Sequence, residues 1–444
     1  MKHFFGTDGI RGVAGEPPLD RATVYAVGLA LGDDLGAGAK VVMGEDTRES
    51  SAWIAATLAA GLRARGVAVD HAGVVPTPAV AFLATRGYAA GVMISASHNP
   101  YRDNGIKIFG GNGYKLPDKE EAAIERALLA YQENPPELPA DVPPLKADRQ
   151  WREAYARHLA QRFGSAPFSE LRIVADCAHG AASTVVPGLF AQLGLRAEVV
   201  GARPDGKNIN AGVGALHPES LAERVRASGA DAGIALDGDA DRAILVDADG
   251  AVVNGDCVLL MAARELRKQG RLQPATVVGT VMTNFGLERA LQREGVTLLR
   301  TAVGDKYVLE KMLETGAALG GEPSGHVIFS AEATTGDGIL TALHCFDIMA
   351  RSGRSLRELC DGWNELPQTI VNVKVGRKEP LETLPQTQAA IGQAQKELHG
   401  AGRVLVRYSG TESLARVMVE AESAAAVERH AQAIADALRR DLGE

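Results

Sequence analysis

Residues 229–237 read GADAGIALD, residues 87–95 read GYAAGVMIS and residues 316–324 read GAALGGEPS. Each stretch opens on glycine, crosses a short run of small apolar residues and stops in polar ones. An unbroken aliphatic run of this length suits a strand buried on both faces, as in parallel sheets. The segments before these runs match in order as well. KVVMGEDTRESSAWIAATLAAGLRARG (40–66), LRIVADCAHGAASTVVPGLFAQLG (171–194) and TVVGTVMTNFGLERALQREG (276–295) each read strand, turn, helix. A second strand and a short helix follow, the helices in PAVAFLATR, PESLAERVRAS and KYVLEKMLET. Buried strands alternating with amphipathic helices define parallel α/β units, and the order repeats three times although the letters diverge.

The rest of the chain has other grammars. A helix with Asp118 and Glu121 at capping-box spacing closes the first unit. The proline-rich stretch NPPELPADVPPL (134–145) follows as a connector. Near the C-terminus QTIVNVKV and ARVMVEAE alternate like half-buried strands, and SAAAVERHAQAIADALRRDLG reads as a helix. The expected fold is α/β, with three repeated mixed α/β domains at 1–150, 151–253 and 254–365 and a smaller α+β domain at 366–444.

Composition agrees with several domains. The chain has 444 residues, and single cores rarely grow beyond about 250–300. It is 46% hydrophobic but only 5% aromatic, so its core is aliphatic. A net charge of −8 gives no reason to expect nucleic acid or an anionic membrane as partner. No apolar run is long enough to span a bilayer, and MKHFFGTDGIRG lacks the apolar core of a signal peptide. Cys177, Cys257, Cys345 and Cys360 form no C-x-x-C pair and read as reduced thiols of a cytoplasmic protein.

Ligands of open α/β sheets bind outside the carboxyl ends of the strands, where the three polar tips lie. The first tip, SASHNP (95–100), offers Ser97 beside His98, with Lys107 downstream. A hydroxyl is a weak nucleophile unless activated, and Ser and Asn also serve ordinary turns. The second tip, LDGDADR (236–242), places Asp237, Asp239 and Asp241 at alternate positions before Arg242. Three gathered carboxylates need a cation, and all-oxygen ligation suits Mg2+. An EF-hand is excluded because Ala248 stands where the twelfth-position Glu belongs. The third tip, GEPSGH (321–326), carries Glu322, Ser324 and His326, groups able to bind sugar hydroxyls or move a proton. RYSGTESLAR (407–416) adds Arg407, Ser409, Gly410, Thr411 and Arg416, which fit either an anion cradle or a plain hairpin. GTDGIRG (6–12) places Asp8 and Arg11 in one more glycine-rich loop.

Taken in order, FFGTDGIRG, ISASHNPYRDNGIKIF, DGDADR, GEPSGH and RYSGTES resemble the α-D-phosphohexomutase superfamily over nearly the whole chain. The resemblance implies four domains around a central cleft. It implies that Ser97 carries a phosphoryl group, and that Asp237, Asp239 and Asp241 bind one Mg2+ per subunit together with the phosphorylated Ser97. Glu322, Ser324 and His326 would recognise the sugar, with Asp305 and Lys306 as further substrate contacts. Arg407, Ser409, Gly410 and Thr411, with Arg416, would hold the distal phosphate. Arg11, His98, Lys107 and Arg242 would surround the transferring group, with Lys107 and His326 as proton-transfer candidates. FFGTDGIRG and NINAGVGALHPESL (208–221) resemble the glucosamine branch, although Pro323 stands where that branch commonly has Gln. The implied activity is reversible conversion of glucosamine 6-phosphate to glucosamine 1-phosphate through a 1,6-bisphosphate. Its partners are then sugar phosphates and not nucleic acid or membrane, with homodimerisation left open. A phosphoglucomutase or phosphomannomutase is the rival within the superfamily. A phosphatase using the acidic loop and a silent sugar-phosphate binder are rivals outside it.

Overall fold

The computed structural model describes residues 4–6, 8–409 and 413–443, so Gly410 and Thr411 of the expected anion loop lie outside the described residues. Three sheets repeat one plan. In the first, the Lys40–Glu45 strand pairs in parallel with Ala68–Val74 on one side and Ala90–Ile94 on the other. Ala90–Ile94 then pairs antiparallel with Asp103–Gly110. The second sheet sets Arg172–Asp176 between Arg196–Val200 and Ala232–Leu236, followed antiparallel by Ala243–Asp247. The third sets Thr276–Thr280 between Thr297–Thr301 and Leu319–Gly321, followed antiparallel by Val327–Phe329. Each polar tip is therefore the turn at which the sheet changes from parallel to antiparallel. The expected order of elements holds in all three.

The tip strands are the buried ones. Every residue of Ala90–Ile94, Ala232–Leu236 and Leu319–Gly321 is buried, which is why these runs carry no alternation. The first sheet is backed by the Arg21–Leu35 and Ser51–Ala64 helices, which pack closely at glycines. A Cβ on Gly28 would lie 2.2 Å from Leu58 O, and one on Gly61 would lie 2.4 Å from Tyr25 O. Larger side chains at either place would push the helices apart.

Packing divides the chain into two compact units. One is the chain up to Met282 with Val296–Asp361, and the other is Thr283–Gly295 with the chain from Gly362. The second unit holds an antiparallel sheet ordered Gln368–Lys374, Leu414–Ala421, Gly402–Tyr408, covered by the Ala424–Leu442 helix. It also claims the Phe285–Arg293 helix, although this helix connects two strands of the third sheet. Phe285 N donates to Glu420 Oε1 at 2.8 Å, and Asn284 exchanges two hydrogen bonds with Leu366.

Two local expectations are corrected. The helix after the first sheet does begin at Asp118, but its N-cap is Pro117, with no side-chain cap. Asp118 Oδ1 and Glu121 Oε2 accept from Lys306 Nζ, at 2.6 and 3.3 Å. An ammonium is a stronger partner for a carboxylate than an amide of its own first turn. Nor are all four thiols reduced: Cys257 and Cys360 form a disulfide, and Cys177 and Cys345 are free and buried. The bonded pair is 103 residues apart in sequence with Cα atoms 6.0 Å apart, a proximity that residue spacing does not reveal. No described helix is long and apolar enough to cross a membrane.

Candidate active site

Ser97 follows the Ala90–Ile94 strand in a turn that leaves it with φ +54°. That is left-handed backbone, uncommon outside glycine and costing about 1–2 kcal/mol per residue. Ser95 supports the turn, since its Oγ accepts from Ser97 N at 2.9 Å and donates to Asp46 Oδ2 at 2.7 Å. The Ser97 hydroxyl donates to Asp237 Oδ2 at 2.5 Å and lies 3.3 Å from His98 Nδ1. Burial, together with the Arg242 and Arg11 charges, pushes the His98 imidazole down to about 4. His98 is thus neutral near pH 7.

Asp237, Asp239 and Asp241 are buried and offer ligand oxygens within 4.8 Å of one another. Asp239 Oδ2 accepts from Lys107 Nζ at 2.8 Å and Thr77 Oγ1 at 2.5 Å. Lys107 Nζ also lies 3.1 Å from Asp241 Oδ2 and 3.0 Å from Asp8 Oδ2. Burial acts against the Lys107 charge, but these three carboxylates outweigh it and hold the ammonium well above its usual range. Among the described residues, no cationic side chain is in hydrogen-bonding contact with Asp237. Burial and the charges of Asp241 and Asp239 drive its carboxyl well above the usual range. Asp239 Oδ1 and Asp241 Oδ1 are buried without a hydrogen bond among the described residues. Two oxygens without a hydrogen bond, and a like charge that Arg242 and the Ser97 hydroxyl only partly offset, fit a divalent cation held by this cluster.

Beside the cluster lies a cavity of about 390 Å³. Arg11, His98, Arg242, Asp305, Glu322 and His326, all expected from the sequence, line it together with Asp8 and Asp241. Glu322 Oε1 accepts from Gly304 N at 3.1 Å. His326 Nε2 accepts from Gly336 N at 3.0 Å, which puts the ring proton on Nδ1, facing Asp241 Oδ1 at 3.8 Å. Ser324 Oγ is buried with no hydrogen bond among the described residues. Burial opposes the Arg242 charge, yet Asp241 and Asp237 raise the group above the ordinary guanidinium value. Ser324 is not among the residues that line the cavity, which joins fixed cations and acceptors beside His98, a set suited to a phosphorylated polyol.

Other expected residues sit elsewhere. Lys306 is outside the cavity lining, paired with Asp118 and Glu121. Arg407, Ser409 and Arg416 belong to the other compact unit. There Arg407 lies directly opposite Arg416 across neighbouring strands. Burial and then the Arg416 charge lower the Arg407 guanidinium, a repulsion that a bound anion would relieve. Lys115 is a residue that sequence reasoning missed. It is nine-tenths buried and forms ion pairs with both Asp8 and Asp305 at the cavity. Its only local signal is a charge in a turn, and its partners lie 107 and 190 residues away.

The family models for phosphoglucomutase/phosphomannomutase match this chain as alpha/beta/alpha domains I, II and III over residues 2–135, 153–250 and 254–366, and as the C-terminal domain over 370–437. The chain belongs to the phosphoglucomutase/phosphomannomutase family. Within this family it is 52% identical to a phosphoglucosamine mutase of Koribacter versatilis, an alignment covering 100% of this chain and 98% of the relative. Among solved structures, a phosphoglucomutase/phosphomannomutase family protein from Burkholderia thailandensis superposes with a TM-score of 0.79 at 26% identity, over 98% of this chain and 97% of that one. The N-acetylphosphoglucosamine mutase of Aspergillus fumigatus, solved with GlcNAc-6P and magnesium, shares the fold with a TM-score of 0.69 at 20% identity, over 99% and 96%.

Proposed function

We propose that this protein interconverts glucosamine 6-phosphate and glucosamine 1-phosphate, with Ser97 as phosphoryl carrier and a 1,6-bisphosphate as intermediate. The observation that carries the reading is Ser97 itself. A buried hydroxyl on left-handed backbone, 2.5 Å from one of three clustered carboxylates and beside a cation-lined cavity, has the placement of a group that is phosphorylated and dephosphorylated in turn. The whole-chain likeness to phosphoglucosamine mutases supports the choice of sugar.

In the first half-reaction the bond between phosphorus and Ser97 Oγ breaks and a bond to a free sugar hydroxyl forms. The hydroxyl proton leaves as one is gained by the departing Ser97 Oγ. Of the two expected proton-transfer candidates, Lys107 is held as an ammonium by its three carboxylates, and His326 can take the proton only by giving up the Nε2 bond from Gly336 N. In the second half the other phosphate of the turned bisphosphate returns to Ser97. Arg11, Arg242 and Lys107 stabilise charge on the transferring oxygens, and positioning and electrostatics supply most of the rate. A divalent cation at Asp237, Asp239 and Asp241, which we take to be Mg2+, would add charge neutralisation at the phosphoryl oxygens. Cytoplasmic location and a phosphate resident on Ser97 belong to the same reading.

The substrate assignment is tested by a coupled assay on glucosamine 6-phosphate, glucose 6-phosphate and mannose 6-phosphate. Glucosamine 6-phosphate should have the highest kcat/KM, by about tenfold or more. A clear preference for either neutral sugar would move the protein to the phosphoglucomutase or phosphomannomutase branch.

A bisphosphate that reverses must be gripped at the phosphate that is not reacting, and we assign this grip to Arg407, Ser409, Gly410 and Thr411, with Arg416 beside them. A charge-assisted bond to phosphate contributes about 1.5–3 kcal/mol, so Arg407→Ala should raise KM about tenfold or more. It should also release labelled bisphosphate during turnover. Unchanged KM and no leakage would remove the loop from the substrate site.

A further inference from the structure

The Arg48 side chain is fully buried, and every one of its guanidinium hydrogens is used. Nε donates to Asp46 Oδ2 at 2.8 Å. Nη1 donates to Pro100 O and, at 2.9 Å, to Asp103 O. Nη2 donates to Ser97 O at 2.9 Å and to Asn99 O at 2.8 Å. Four of the five bonds thus end on backbone carbonyls of the turn that carries Ser97. From the second repeat, Asn210 reaches two of the same carbonyls. Its Nδ2 donates to Ser97 O at 2.9 Å and to Asn99 O at 3.2 Å. Asn210 is itself left-handed, φ +57°, and sits in the NINAGVG stretch, which the cavity does not use. Gly238 closes the same point, since a Cβ there would lie 2.6 Å from Ser97 O.

We propose that Arg48 and Asn210 are positioning residues for phosphoryl transfer, clamping the Ser97 and Asn99 carbonyls so that Ser97 stays left-handed with its hydroxyl aimed at the carboxylate cluster. The inference rests on the reading of Ser97 as phosphoryl carrier. Neither side chain lines the cavity, so neither needs to touch substrate. A planar fork with fixed donor directions suits the task, because it specifies the relative position of four carbonyls at once. Without the clamp the unfavourable backbone of Ser97 keeps only the Ser95 bond to its N–H and its own bond to Asp237, and the turn should relax toward ordinary φ and carry Oγ away from Asp237.

The test uses the full-length protein as wild type, Asn210→Ala, Arg48→Lys and Arg48→Met. Each is exposed to a hexose 1,6-bisphosphate, and intact mass follows phosphate arriving on Ser97. In parallel, kcat and KM are measured per folded molecule. Misplacing a reacting group by about 1 Å can cost about 100-fold in rate. A loss of about that size in phosphorylation rate and kcat is expected for Arg48→Met, about tenfold for Asn210→Ala, and partial recovery in Arg48→Lys, with KM within about twofold throughout. If Arg48→Met does not fold, Asn210→Ala carries the test, since it removes one amide from a loop that keeps its other bonds. A rise in KM with kcat unchanged, or wild-type phosphorylation rates in folded Asn210→Ala and Arg48→Lys, overturns the clamp while leaving Ser97 as the carrier. Failure of wild-type protein to take up phosphate overturns the carrier assignment, and the clamp with it.

Discussion

Ser97→Ala is expected to eliminate mutase turnover while leaving the fold in place. Removing a covalent nucleophile costs on the order of a millionfold in kcat in well-studied hydrolases, and a carrier that cannot be phosphorylated has no bypass within the same site. The fold should survive because the side chain lost is one hydroxyl, and alanine tolerates left-handed backbone about as poorly as serine, so the strain at position 97 is nearly unchanged. What changes locally is that Asp237 Oδ2 loses the hydroxyl at 2.5 Å. Intact mass of protein treated with a bisphosphate should show a phosphate adduct on wild type and none on the variant. Near-normal turnover by Ser97→Ala would sink the phosphoserine mechanism.

The second large effect concerns the three aspartates, which should behave differently from one another. Each Asp→Asn change is expected to lower kcat by about 100-fold or more, because a developing charge loses fixed electrostatic support. Stability without a divalent cation should separate them. Burial and the like charges of Asp241 and Asp239 raise the Asp237 carboxyl, so its ionisation weakens the fold. The sign follows from linkage. A raised folded-state value gives stability that is present below the unfolded-state value and is lost as pH rises through the folded one. Above the unfolded-state value the buried Asp237 carboxyl is therefore a cost to the fold, and Asp237→Asn should raise the melting temperature of chelator-treated protein. Asp239 is held by Lys107 at 2.8 Å, so Asp239→Asn should lower the melting temperature by leaving a buried ammonium with less compensation. Adding Mg2+ at a hundred times its Kd should stabilise wild type by about 2.7 kcal/mol and stabilise either variant less. Full turnover in excess chelator, or Mg2+ without effect on wild-type melting, would count against a cation at this cluster.

Much of this protein is legible locally. The tips at 95–100, 236–242 and 321–326 stand out because a strand buried on both faces must be aliphatic, so the first polar residues mark where it leaves the sheet. The threefold order follows for the same reason, since strand and helix periodicities are properties of short windows. The amphipathic C-terminal helix with its Ser423 cap is local in the same sense. Local pattern also proposed Asp118 as a cap, and there it failed, because Lys306 from a distant repeat binds that carboxylate.

What the linear chain could not show is every relation whose partners lie far apart in it. Arg48 looks like an ordinary surface charge after an acidic turn, yet its carbonyl partners lie 49 to 55 residues away and bury it completely. The Cys257–Cys360 bond, the pairing of Lys115 with Asp8 and Asp305, and the packing of the Phe285–Arg293 helix with the C-terminal unit are of the same kind. Residue type and periodicity determined which groups would reach the strand ends. Only the folded chain decided which charges neutralise one another there, because the energy of a buried charge depends on its neighbours within a few ångströms, whatever their distance along the sequence.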